Sequence, residues 1–87
     1  MYNGWKNKQT WNAGLLLAND QDTYIKILNV IGKQVTPETS VDDVAKMFRE
    51  FVVANFTATE LAQEIGDLDL VAWDEIAETW LQEDLLV

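Results

Sequence analysis

The sequence predicts an all-α fold, a small irregular bundle of about five short helices in a single domain over residues 1–87. Three observations lead to this. Every apolar cluster recurs at helical spacing, and no segment alternates with period two. Residues that start and stop helices flank those clusters. A chain of 87 residues with a hydrophobic fraction of 48% suits one modest core, and Trp5, Trp11, Trp73 and Trp80 can each bury a large apolar area in it.

The first helix is expected over about 8–19, with Asn7 as N-cap. Trp11, Leu15 and Ala18 form its apolar stripe, and Leu16 and Leu17 widen it. A helix apolar over so much of its girth belongs at the centre of a small bundle. Asn19-Asp20 breaks it, and Asp20 caps a second helix over about 21–32, whose Tyr24, Ile27, Leu28 and Ile31 fall on one face before Gly32 stops it. Residues 33–39, which hold the only proline, Pro37, read as a loop. A third helix, about 41–55, starts at Ser40 with Asp43 placed like the acid of a capping box. Val41, Val44, Ala45, Phe48, Phe51 and Val52 are its inner face. Thr57-Ala58-Thr59-Glu60 fits a capping box for a short fourth helix that buries Leu61, Ala62 and Ile65 and ends at Gly66. After a link at 67–71, the last helix spans about 72–85, with Trp73, Ile76, Ala77, Trp80 and Leu81 as a narrow apolar stripe.

Composition narrows the chemistry. With no cysteine there is no disulfide, thiolate metal site or thiol nucleophile. With no histidine, the usual general base near neutral pH and the commonest zinc ligand are missing. Carboxylates remain, at Asp20/Asp22, Asp42/Asp43, Asp67/Asp69 and Asp74/Glu75, but none follows a calcium-loop pattern. Most sit where helix N-termini favour negative charge. Two carboxylates can catalyse hydrolysis, yet fifteen acidic residues supply pairs by chance. No enzyme, cofactor or metal is expected. The apolar run 15–18 is too short to span a membrane and lacks a secretory cleavage site, so a cytoplasmic location is expected.

The net charge of −9 is unevenly spread. Residues 1–34 hold Lys6, Lys8, Lys26 and Lys33 against Asp20 and Asp22, whereas 35–87 hold Lys46 and Arg49 against all thirteen other acids. Direct contact of the acidic half with nucleic acid or an anionic membrane is therefore not expected. Two readings of that half stand side by side. One is a solvated surface that keeps the protein soluble. The other is a nucleic-acid mimic: Asp67, Asp69, Asp74, Glu75, Glu78, Glu83 and Asp84, beside Glu60 and Glu64, would attract and block a basic groove. Trp5 also has two readings, a lid folded back on the bundle or an exposed hot spot beside Lys6 and Lys8.

The stretch Asn3-Gly4-Trp5-Lys6-Asn7-Lys8-Gln9-Thr10-Trp11-Asn12 resembles the opening of a family of small uncharacterised phage, plasmid and bacterial proteins that begin N-G-W-x-N-x-x-T-W-N. Leu15-Leu16-Leu17-Ala18-Asn19-Asp20 and Tyr24 continue the likeness, and Trp73-Asp74-Glu75-Ile76-Ala77 resembles the W-x-E-I-A ending of that family. The likeness covers about 2–24 and 70–80. In the family the first helix often carries another tryptophan where this chain has Leu16 or Leu17. The resemblance implies no catalytic residues. It implies a context, a small accessory protein of a phage or other mobile element. The resulting expectation is a non-enzymatic protein in the host cytoplasm that binds and inhibits a host protein, such as a nuclease or defence complex, by acidic mimicry. The alternative is a structural or homo-oligomerising subunit that associates through Leu85-Leu86-Val87.

Overall fold

A computed structural model describes residues 2–85. Its order is α1 (Lys8–Ala18), α2 (Gln21–Val30), α3 (Val41–Asn55), α4 (Ala58–Glu64), a 3-10 turn at Leu68–Leu70, α5 (Trp73–Trp80) and a π-helical turn at Leu81–Leu85. The all-α bundle is as the sequence predicts. The only extended pairing among the described residues is one bridge between Tyr2 and Trp5.

Side chains start the helices where expected. Asn7 Oδ1 accepts from the Thr10 backbone N–H at 2.9 Å, Asp20 from Asp22 at 3.3 Å, and Ser40 Oγ from Asp43 at 3.1 Å. Thr57 and Glu60 bond in both directions, at 2.9 and 3.1 Å, which completes the capping box. Each bond satisfies an N–H that helix geometry leaves without a partner. The two stopping glycines act differently. Gly66 has φ +101°, a left-handed conformation that L side chains disfavour. At Gly32 the reason is space, since a Cβ there would lie 2.4 Å from the Leu28 carbonyl oxygen.

The core is one cluster with contributions from all five helices. Its main pair is α3 against α5. Phe48 of α3 is fully buried and meets the Trp80 ring at 5.4 Å, and Tyr24 of α2 lies 5.3 Å from the same indole. Such tilted aromatic contacts each contribute about 0.5–1.5 kcal/mol beyond burial. Helix α1 touches α2, α4, the 3-10 turn and α5, but it is not the buried centre that its apolar girth predicts, since Trp11, Leu15 and Leu16 are only half-buried.

Besides Ala62, which is exposed and not buried on α4, two expectations need correction. The buried line of α1 is Thr10, Ala13 and Leu17, while Trp11 and Leu15 are half-buried and Ala18 is exposed. The helix turns this way because the Thr10 hydroxyl is needed inside, where it accepts the Ala72 backbone N–H at 2.9 Å. Secondly, the α-helical winding of α5 ends at Trp80 and does not run to 85. The wider winding of the following π turn rotates Leu85 back onto the core, where only 9% of it stays exposed. Leu85 is thus a core residue, not a free contact; Leu86 and Val87 lie outside the described residues.

Candidate partner-binding face

Helix α5 is sharply two-sided. Trp73, Ile76, Ala77 and Trp80 are buried, while Asp74 and Glu78, one turn apart, are exposed. No side chain caps its start; Ala72 hands its N–H to Thr10 instead.

The seven acids singled out in the sequence fall into two groups. Asp67 caps the 3-10 turn by accepting from the Asp69 N–H at 2.9 Å. Asp69 pairs with Arg49 at 2.6 Å, an exposed bridge of about 0–1 kcal/mol. The half-buried Glu75 accepts from the Lys6 backbone N–H at 3.0 Å and so ties the N-terminal segment to α5. Asp84 accepts from the Tyr24 hydroxyl at 2.6 Å, and that bond, with burial and the carboxylate's charge, raises the Tyr24 pKa above its ordinary value. The other three, Asp74, Glu78 and Glu83, are exposed and make no hydrogen bond or ion pair among the described residues. On α4, Glu60 is held ionised to lower pH than usual by the N–H and side chain of Thr57.

Local electrostatics does not favour two of the three. Asp74, in the first turn of α5, is favoured by the helix dipole, but Glu78 one turn on is a like charge beside it, an arrangement that destabilises a helix by about 0.2–0.5 kcal/mol. Glu83 sits in the closing turn, where the helix dipole favours cations, and that turn holds no basic residue.

The distinctive opening is a different kind of site. Asn3, at φ 49°, and Gly4, at φ 88°, make a left-handed turn. The Trp5 ring is half-buried beside Gly14, and Tyr2 meets Trp11 in a tilted contact at 5.1 Å. Asn7 Oδ1 also accepts from the Thr10 hydroxyl at 2.7 Å, and Asn7 Nδ2 donates to the Leu70 carbonyl at 2.7 Å. Trp5 is therefore packed as a lid over α1.

Three shallow concavities of about 200, 340 and 230 Å³ have a single carboxylate, Glu50, among their lining residues. Among the described residues there is no group of three or more acids placed to hold a metal ion, and no helix is long and apolar enough to cross a membrane. No protein-family model matches the chain, and neither a curated protein nor a solved structure shows significant similarity to it.

Proposed function

We propose that this chain is a non-catalytic binding protein whose acidic α5 face occupies a basic, nucleic-acid-handling surface of a partner protein and blocks it. The observation that carries this reading is the set of exposed carboxylates, Asp74, Glu78 and Glu83, that hold nothing together in the fold, two of them against local electrostatic preference. Asp67, Asp69, Glu75 and Asp84 add negative charge around them while serving the fold. An array of this sign draws a basic groove in quickly and competes with phosphates for it. The likeness of the opening to small phage and plasmid proteins supports a mobile-element setting, in which the partner is a host nuclease or defence complex in the cytoplasm.

The test is capture of partners from host lysate with the wild-type chain and with Asp74→Lys/Glu78→Lys/Glu83→Lys, which spares the carboxylates that bond within the fold. The expected result is one dominant nucleic-acid-handling protein, released by high salt, displaced by duplex DNA and absent with the triple variant. A partner that survives both high salt and charge reversal would move the binding surface off α5 and overturn the proposal.

A further inference from the structure

Helix α4 packs against α1, and beside it the last turns of α3 border a groove of about 340 Å³. Its walls carry Val53 of α3, Phe56 just beyond that helix, Ala58, Leu61 and Ala62 of α4, and Leu68 of the 3-10 turn. No lining residue is polar. Val53 is 59% exposed, and Ala58 and Ala62 are exposed as well. The alanines open the space: along this side of α4 only their methyl groups project beside the buried Leu61. A volume near the lower end of the roughly 300–1,000 Å³ of small-ligand sites admits one or two anchor side chains.

The charge around the groove selects its occupant. Residues 49–70 hold one base, Arg49, against Glu50, Glu60, Glu64, Asp67 and Asp69, and Arg49 is already paired with Asp69 at 2.6 Å. Glu64 ends α4, two residues after Ala62, and Asp67 sits between groove residues Gly66 and Leu68; both are exposed, whereas Glu50 lines a separate concavity with Met47 and Ala54. An apolar floor with an acidic surround complements a helix that is apolar on one face and lysine- or arginine-rich on its flanks. A second copy of this chain would bring another net charge of −9 to the same place. We infer that the α3–α4 groove docks a basic amphipathic helix of a partner protein, with an apolar side chain seated between Val53 and Ala62. This rests on the reading of the chain as a binding protein and adds a contact of different chemistry from the α5 face.

The experiment titrates the nitrogen-15-labelled full chain with a synthetic lysine/leucine amphipathic helical peptide, and separately with a glutamate/leucine peptide of the same pattern. The basic peptide is expected to shift the amides of Val53, Ala58, Ala62 and Leu68, while the acidic one leaves them in place. Ala62→Lys, an exposed change in a good helix position, is expected to weaken the basic peptide about tenfold or more, the scale of losing an anchor contact. Asp74→Lys/Glu78→Lys should change its affinity far less. Equal shifts with the acidic peptide, the same shifts on raising protein concentration alone, or no shifts at all would each overturn the groove proposal. Shifts confined to α5 would overturn it too, while leaving the acidic-face reading intact. Conversely, groove binding that Ala62→Lys removes supports the groove even if charge reversal on α5 leaves capture of the lysate partner unchanged.

Discussion

The opening segment and the last helix carry the two most conspicuous patterns in the chain, and the structure uses them in opposite ways. Along residues 2–11 nearly every distinctive side chain is tied down: Asn3 and Gly4 in a left-handed turn, Trp5 on α1, Asn7 and Thr10 in bonds that reach Leu70 and Ala72, and Tyr2 on Trp11. On α5 the inner face, Glu75 and Thr79 are committed in this way, and the outer acids Asp74 and Glu78 are left over. A rare local pattern can thus report an architectural constraint, whereas ordinary charged residues become informative when the fold makes no use of them.

The contrast can be broken first on α5 itself. Trp80→Ala removes the indole that meets both Phe48 and Tyr24 and is expected to cost about 3–5 kcal/mol, read by chemical denaturation. A cost near zero would mean that the inner face of α5 is not the core. In the opening segment, Thr10→Val keeps the shape but leaves the Ala72 N–H without its acceptor, so a loss of about 1–3 kcal/mol is expected by the same measurement. Stability equal to wild type would return that segment to the pool of candidate binding residues. On the outer face, Asp74→Lys/Glu78→Lys is expected to leave stability within about 0.5 kcal/mol of wild type, as for other surface changes. A large loss would show that these acids serve the fold after all.

The smallest effect concerns pH. The folded state raises the Tyr24 pKa, so it favours the protonated phenol. The stabilisation is fully present below the ordinary tyrosine value of about 10 and disappears as pH rises through the higher folded value. Melting curves of wild type and Tyr24→Phe should therefore differ by a constant amount near neutral pH and converge in the alkaline range. A gap that persists there would mean that the phenol does not depend on Asp84.

The proposed groove is the feature least legible in the sequence. Ala62 falls on the apolar side of α4 and reads as an inward residue, yet in the structure it is exposed on the wall of an open channel. Spacing along a helix tells which residues share a face; it does not tell whether a neighbouring helix comes close enough to cover that face.

The same distinction separates what the sequence determined alone from what the tertiary structure decided. Helix starts were legible because capping is local: Asn7, Asp20, Ser40 and Thr57 each bond to an N–H two or three residues along, a reach that spacing alone reveals. The inner faces of α3 and α5 were legible because apolar side chains at helical spacing have one cheap place to go. The rotation of α1, the π turn that returns Leu85 to the core and the sorting of seven acids into structural and uncommitted ones were decided only in three dimensions. Apart from Asp67, whose cap is local, and Asp69, whose partner Arg49 lies 20 residues away, each depends on a partner 60 or more residues away or on packing against another helix, as in Thr10 with Ala72, Tyr24 with Asp84 and Lys6 with Glu75. Contacts of that range form only when the chain has closed on itself, so no local pattern carries them.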